Sequence, residues 1–196
     1  ASVYGTCTNF SERRKNEGPL NVYGYSKWLF DQYVRSLEKK IKSQVVGLRY
    51  FNVFGPREAH KNNMASVIYH FNNQINETEQ VQLFSGSHGY DDGEQCRDFI
   101  FVDDIIDMNL WMMNNPNISG IYNAGTGVAH SFNEIANTVI KSRKKGKIKY
   151  IPFPKELEEC YQSFTQANLK NLRSVGYKKE FTSLSKGVNA YLDEIC

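Results

Sequence analysis

The stretch Gln44-Val-Val-Gly-Leu-Arg-Tyr-Phe-Asn-Val53, followed by Phe-Gly-Pro56, predicts the fold class of this chain. It is largely apolar and rich in residues that favour β-structure, which is typical of a parallel strand buried on both faces. The Gly55-Pro56 pair ends the predicted strand. The stretch therefore indicates a strand inside a parallel sheet.

Helical and strand patterns alternate on both sides of this stretch. A helix of about 20 residues is expected to begin near Pro19 or Asn21, because apolar residues recur at three- and four-residue steps up to Ile41. Ser131, with Glu134 three residues later, predicts a capped helix start. Further helices are predicted over 64–75, from Asp103 or Asp104 to about 113, and over 184–195, and further strands over 2–4, 80–84, 97–102, 118–123 and 147–151. The alternation predicts an α/β protein.

Length and composition limit the function classes. The chain has 196 residues, 40% of them hydrophobic, and a net charge of +3, which suits one domain or a domain plus part of another and excludes a disordered chain. Its Lys and Arg residues are spread along the sequence, so a nucleic-acid partner is not expected. No apolar run approaches the ~18 residues of a membrane span, so no membrane partner is expected either. The mild excess of cations suits a small anionic substrate.

The four cysteines predict reduced thiols in the cytoplasm. Cys7, Cys96, Cys160 and Cys196 form no Cys-x-x-Cys pair, and no histidine stands at zinc-finger spacing from them, so no metal site is expected. The acidic segment 88–95 is interpreted as a solvated loop rather than a metal site. The chain has no initiator Met and opens directly on Ala1, and it is expected to be a piece of a longer protein.

Tyr23 and Lys27 are the first candidate catalytic residues. They lie four residues apart in the first predicted helix, so a phenol and an ammonium share one face. Moving the titration of a phenol from pH ~10 to neutral pH requires about 4 kcal/mol. An ammonium ~4 Å away at an effective dielectric of about 20 supplies that much. The pair is sufficient for general acid–base catalysis on an alcohol, although the spacing alone is better explained by an exposed helical face.

Further motifs resemble the extended short-chain dehydrogenase/reductase family in order and spacing. The chain begins Ala1-Ser-Val-Tyr-Gly5, which resembles the family's Ser-Ala-Thr-Val-Tyr-Gly, so the family's catalytic Ser or Thr would lie one residue before Ala1. The segments that carry the resemblance to family members acting on C6 of an ADP-heptose are Pro19–Lys27, Phe51–Lys61, Met64–Ser66, Tyr150–Pro154 and Tyr161–Gln166.

This resemblance implies a fold and a domain division. It implies the C-terminal part of a Rossmann-like doubly wound parallel sheet plus a smaller mixed α/β substrate domain. Residues 1–60 would be the remainder of the NADP-binding domain, and residues 61–196 would be mainly the substrate domain. A returning segment near 97–125 would pack on the Rossmann-like part.

The resemblance also implies a mechanism. The C6 alcohol of ADP-heptose would be oxidised with tightly bound NADP and reduced again on the opposite face. Tyr23 would be the acid–base group for one face and Lys61 for the other, and Lys27 would orient the nicotinamide ribose. Lys27, Val53 and Lys61 would contact the cofactor.

A set of substrate-binding residues follows from the same resemblance. They are Asn52, Asn63, His70, Phe84, Ser85, Gly86, Ser87, Arg97 and Tyr161. The backbone donors of 84–87 and the guanidinium of Arg97 would hold a diphosphate. The chain has Asn62-Asn63 where Gly-Ser is expected after Lys61.

The sequence lacks a motif that the family uses to bind its cofactor. The Gly-x-x-Gly-x-x-Gly signature that holds the NADP pyrophosphate in the family occurs nowhere in these 196 residues. Gly125-Thr-Gly127 is interpreted as a turn after a strand, not a phosphate loop. The chain alone is therefore expected to bind NADP weakly and to turn over little.

Three interpretations remain open from the sequence. The whole enzyme would be a cytoplasmic homo-oligomer, a homopentamer in the family, that serves lipopolysaccharide synthesis. The alternatives are another nucleotide-sugar epimerase or dehydratase of the same family, and a non-catalytic remnant or binding protein.

Overall fold

The computed structural model describes residues 1–37, 40–158 and 161–195. In chain order the elements are α1 Val22–Leu37, β1 Val46–Tyr50, β2 Asn52–Phe54, α2 Val67–Thr78, β3 Gln80–Phe84, β4 Cys96–Phe101, α3 Val102–Met113, β5 Gly120–Ala124, β6 Ala129–Ser131, α4 Phe132–Arg143, β7 Lys147–Ile151, α5 Lys170–Ser174 and α6 Leu184–Glu194. The prediction of an α/β fold is confirmed. The thiols of Cys7 and Cys96 are free, whereas Cys160 and Cys196 lie outside the described residues.

The strands form three small sheets. β1 pairs in parallel with β5, with Val46 opposite Gly120 and Tyr50 opposite Ala124. β4 lies between β2, which is parallel to it, and β6, which is antiparallel. β3 and β7 form the third, parallel pair. β5 therefore lies beside β1, while β3 and β7 form a separate sheet.

The single strand predicted over 44–53 is wrong in one respect, because it breaks at Phe51. The Phe51 backbone N–H donates to the Ala124 carbonyl at 3.0 Å, and its own carbonyl accepts from Val53 at 3.0 Å. The buried Phe51 side chain packs with Val3, Tyr4 and Phe10. The break sends β1 and β2 into different sheets.

A buried charge cluster holds α1 against β1. Arg49 of β1 has a side chain only 4% exposed, and its Nη2 donates to Asp31 of α1 at 2.7 Å and also to Glu17. Arg35 of α1 donates to the two oxygens of Glu17 at 2.9 and 2.7 Å. Burial alone would raise the pKa of Glu17, but the hydrogen bonds from Arg35 and Arg49 outweigh it and lower that pKa to about 2.

A second buried carboxylate, Asp98 of β4, ties three segments together. Its oxygens accept from the backbone of Thr126 at 2.8 Å, of Gly127 at 2.8 Å and of Ala167 at 2.9 Å. A Cβ on Gly125 would lie 2.8 Å from the Asp98 carboxylate and 2.7 Å from the Ala167 side chain, so only glycine fits. The 125–127 turn links β5 to β6. Because the amides of Thr126 and Gly127 donate to Asp98, they are not available to bind a phosphate.

Besides the cluster around Phe51, two larger apolar clusters form the core of the described residues. One lies around β3, β4, α2, α4 and α6 and includes Phe54, Ile68, Ile75, Ile135 and Leu192. The other lies between β1, β5 and α3 and includes Ile100, Met108, Tyr122 and Leu172. None of the helices in the described ranges has the length and apolarity to cross a membrane.

Two local predictions are wrong. Residues 2–4 form a 3₁₀ turn instead of a strand, because the Tyr4 hydroxyl donates to Asn123 at 2.6 Å and the Tyr4 amide closes on Ala1 at 3.1 Å. α3 has no side-chain cap from an aspartate, because the carboxylate of Asp104 accepts from Thr182 instead, at 2.9 and 3.1 Å.

The capped start predicted for α4 is confirmed. Ser131 accepts from the Glu134 amide, and the Glu134 carboxylate accepts from the Ser131 amide. Both orphan donors of the helix start are satisfied within four residues.

We predict that Glu17 makes stability depend on acid. The folded pKa lies below the unfolded value of 4.5, so the contribution is present above pH 4.5 and is lost as the pH falls towards about 2. Glu17→Gln should cost about 3 kcal/mol of unfolding free energy at neutral pH and flatten this acid decline. Urea unfolding followed by circular dichroism measures both. The exposed Glu77→Gln is the control, and an equal acid decline in Glu17→Gln and wild type would contradict the prediction.

Candidate active site

Tyr23 and Lys27 lie together on the first turns of α1. Tyr23 is 64% exposed, and the Lys27 ammonium nitrogen is 5.2 Å from the centre of the Tyr23 ring. Gly24 lets this helix start press against the 2–4 turn, since a Cβ there would lie 2.8 Å from the Ser2 carbonyl. The predicted one-face arrangement of phenol and ammonium is present.

The pair faces a cleft of about 530 Å³. The cleft is lined by residues 1–3, by one face of α1 and by all of β1. Its volume lies within the range of ~300–1,000 Å³ for small-molecule sites, so it suits one end of a dinucleotide. The cleft places the polar groups of Tyr23 and Lys27 beside mostly apolar side chains of α1 and β1, where a ring and its ribose could lie, whereas the sequence offers no glycine-rich loop for a pyrophosphate.

Lys61 lies on the 3₁₀ turn Ala59–Met64 that follows β2. Its side chain is 47% exposed, and its nitrogen lies 3.9 Å from the buried carboxylate of Glu58. Lys61 does not line the cleft of Tyr23. The structure therefore brings Tyr23 and Lys27 together but does not place Lys61 in the same cavity, and the two-base arrangement stays a prediction.

The backbone around Lys61 is strained. Arg57 has a φ of 67°, and Asn62 has a φ of 48° with a ψ of −124°. Side chains with a Cβ rarely adopt the conformation of Asn62, whereas glycine adopts it readily. This explains why glycine is the residue expected at position 62.

The residues predicted around β2 and α2 lie in different surroundings. Asn52 and Val53 belong to β2, and the side chain of Val53 packs on the cluster with Met108 and Tyr122. Asn63 is exposed on the Lys61 turn. His70 packs edge-on against Tyr69, with 5.8 Å between the ring centres. The roles predicted for these four residues stay predictions.

Phe84, Arg97 and Tyr161 come together on the β3–β7 side of the molecule. The Arg97 guanidinium carbon lies 4.8 Å from the centre of the Tyr161 ring. Phe84 and Tyr161 both line an apolar slot of about 250 Å³, and both rings contact Phe153 edge-on, at 5.4 and 5.1 Å. The slot is the size of a planar ring system rather than of a whole nucleotide.

Arg97 is a buried cation with an open role. Burial lowers the pKa of Arg97, and burial raises the pKa of Tyr161 although the adjacent Arg97 opposes that rise. Within 1–37, 40–158 and 161–195, the ion pairs of the structure do not include Arg97. A buried guanidinium without a carboxylate partner is suited to an anionic ligand.

The expected diphosphate donors of 84–87 are largely occupied. The Ser85 amide donates to the Ile151 carbonyl at 2.8 Å, and the Gly86 amide donates to the Asp92 carboxylate at 2.7 Å. Among the described residues no cluster of three His, Cys, Asp or Glu side chains has metal-site geometry. Because the amides of Ser85 and Gly86 already donate within the protein, Arg97 is the stronger candidate to bind an anion.

Several structural residues of the site region were missed from sequence. They are Arg49, Glu58 and Asp98, all buried and charged. For Arg49 and Asp98 a signal existed, since each interrupts an apolar strand pattern. Glu58 lies in a polar loop, so nothing in the pattern distinguishes it.

The chain belongs to the NAD dependent epimerase/dehydratase family, whose sequence model matches residues 1–125. Its α/β fold with parallel sheets matches structures of this family over part of their length.

Among curated proteins, the chain is similar to an ADP-L-glycero-D-manno-heptose-6-epimerase of Alkalilimnicola ehrlichii, with 53% identity over 195 residues. The match covers 100% of this chain and 61% of the relative.

Solved structures agree. The Helicobacter pylori ADP-L-glycero-D-manno-heptose-6-epimerase matches with a TM-score of 0.82 and 35% identity, over 100% of this chain and 57% of that one. A UDP-N-acetylglucosamine 4-epimerase from Methanobrevibacter ruminantium has a TM-score of 0.84 at 24% identity, covering 100% of this chain and 60% of that one, and shares the fold alone. The chain thus spans about three fifths of the length of these relatives.

We predict that Asn62→Gly stabilises the protein. Relief of strain at a φ of 48° should exceed the entropic cost of glycine and raise the unfolding free energy by about 1 kcal/mol. Thermal unfolding measures the change. The neighbouring Asn63→Gly is the matched control, because Asn63 has no positive φ and should lose stability. A loss in Asn62→Gly equal to that of the control would contradict the strained backbone.

Proposed function

We propose that this chain carries the proton-handling and substrate-binding part of an ADP-L-glycero-D-manno-heptose 6-epimerase. The observation that carries the proposal is the 53% identity to such an enzyme across the full length of the chain. The Tyr23–Lys27 pair beside its cleft and the buried Arg97 support it.

Tyr23 is proposed to exchange the proton of the C6 hydroxyl on one face of the sugar. Lys27 lies on the same face of α1, with its ammonium nitrogen 5.2 Å from the centre of the Tyr23 ring. The same ammonium would hold the ribose hydroxyls of the cofactor. The exposure of the pair fits groups that meet a ligand rather than a packed core.

Lys61 is proposed as the acid–base group for the opposite face. It stands in a loop at the carboxyl end of β2, and ligands of open α/β sheets bind at the carboxyl ends of their strands. Its amine is half-exposed, so a substrate can reach it while it stays beside the Glu58 carboxylate.

The substrate nucleotide is proposed to bind at Arg97. The guanidinium would take the diphosphate, and the apolar slot lined by Phe84 and Tyr161 would take a planar base. Asn52, Asn63, His70 and the 85–87 loop are proposed to complete the sugar contacts.

The proposed cofactor is NADP, with Lys27, Val53 and Lys61 among its contacts. When bound, NADP would supply the hydride transfer at C6. The residues of this chain move and hold the protons. A homo-oligomer, pentameric as in the family, and a cytoplasmic location are part of the same proposal.

A nucleotide-sugar 4-epimerase is the second candidate. What supports this candidate is the fold shared with the Methanobrevibacter 4-epimerase. Lys61 separates the two, because a 4-epimerase that uses Tyr23 alone does not need it.

We predict that Lys61→Met abolishes interconversion of the two C6 epimers of ADP-heptose. Loss of one acid–base group should lower kcat by about a hundredfold or more. The assay, with added NADP, is run on the 196-residue chain and on any longer product its gene encodes, and the epimers are separated by NMR. Lys15→Met, which removes an exposed lysine that does not line the cleft, is the control. Epimerisation that survives Lys61→Met would contradict the two-base proposal and favour the second candidate.

We further predict that Arg97→Met weakens ADP binding to the chain. Losing the charge-assisted hydrogen bonds to a diphosphate should lower affinity about tenfold or more. Isothermal titration with ADP measures this without any turnover. Arg173→Met, which removes an arginine that contacts Tyr177 and Phe181 elsewhere, is the control. Equal ADP affinity in wild type and Arg97→Met would place the diphosphate elsewhere.

A further inference from the structure

The loop that carries Lys61 is anchored by one buried carboxylate. Glu58 is only 4% exposed. Its Oε1 accepts from the Ser66 hydroxyl at 2.5 Å, and its Oε2 accepts from the Ser66 amide at 2.8 Å. Ser66 is the N-cap of α2, so Glu58 fastens the start of the loop to the start of that helix. A negative charge at a helix N-terminus is also electrostatically favourable.

Lys61 is attached to Glu58 twice. Its backbone amide donates to the Glu58 carbonyl at 2.9 Å, and its ammonium lies 3.9 Å from Oε2. Oε2 therefore faces both the α2 start and the amine. The lysine is restrained at its backbone and at the end of its side chain by the same residue.

The same carboxylate faces α6. Burial raises the pKa of the Tyr191 phenol, and the negative charge of the neighbouring Glu58, together with Tyr69 of α2, raises it further. Tyr191 is almost fully buried. Among the ion pairs of the described residues, the one that Glu58 makes is with Lys61.

We propose that Glu58 is the positioning residue for Lys61, holding its ammonium at the exit of β2. This inference rests on the proposed function, in which Lys61 exchanges a proton with the substrate. The Glu58 carboxylate attracts the Lys61 ammonium, whose nitrogen lies 3.9 Å from Oε2. Glu58 thereby fixes where the amine of Lys61 stands.

A purely structural role for Glu58 leads to a different prediction. If it served only to support the α2 cap, Gln would replace it at a cost in stability alone. The neutral amide of Gln has nearly the same shape but carries no negative charge to attract the Lys61 ammonium. The chemical reactivity of the Lys61 amine separates the two roles, because only the free amine is acylated.

The experiment is competitive acylation of the whole chain with acetic anhydride at neutral pH, read by peptide mass spectrometry. Labelling of Lys61 is scored against Lys15 in the same sample. Glu58→Gln should label Lys61 about threefold faster or more than wild type does. Glu58→Asp should stay near wild type, and so should Ser66→Ala, which removes the cap hydroxyl but keeps the charge.

A second measurement needs no variant. A half-exposed ion pair weakens as salt screens it, so labelling of Lys61 in wild type should rise relative to Lys15 from low to high salt. Labelling that is unchanged by both Glu58→Gln and salt would overturn the inference and leave the proposed function intact. Survival of epimerisation in Lys61→Met would overturn the proposed function whatever the labelling shows.

Discussion

The carboxylate of Asp98 is the constraint on which the joining of the layers depends. It stands on β4, and its three backbone donors come from the turn after β5 and from the segment at Ala167. The strands form separate sheets, which share few hydrogen bonds. A buried acceptor that bonds to several segments therefore links these sheets. Loss of a buried acceptor would leave those amides unpaired at about 1–3 kcal/mol each. Gly125 belongs to the same constraint, since any Cβ there would collide with Asp98.

The Arg49 cluster holds α1 against β1, as Asp98 holds the turn after β5 against β4. Arg49 reaches Asp31 on the helix and Glu17 in the preceding loop, and Glu17 reaches back to Arg35. A buried arginine is costly unless its charge is paired, and here two carboxylates share it. Tyr23 and Lys27 lie on the turns just before Asp31, so the cluster that holds the helix also holds these two residues beside β1.

Features encoded within a few residues were predictable from the sequence. Ser131 and Glu134 form a capping box because both partners lie in one turn, and β7 has the predicted bounds because its pattern is local. Tyr23 and Lys27 share a face for the same reason. The break at Phe51 was not predictable, since it comes from a hydrogen bond to Ala124, 73 residues away. The partners of Asp98 and Arg49 are equally remote in sequence, and the grouping of Arg97 with Tyr161 depends on how two distant segments pack.

The break at Phe51 has the largest consequence for function. A continuous strand over 44–53 would carry the following loop along the same sheet as Tyr50, which lines the cleft of Tyr23. Instead β2 pairs with β4, and the loop leaves from a different sheet. The location of Lys61 relative to Tyr23 is therefore set by the step between two sheets, while Glu58 and the strained Asn62 hold the amine within its own loop. The two-base proposal requires such separate supports, because a single helix or strand would present both groups from the same side.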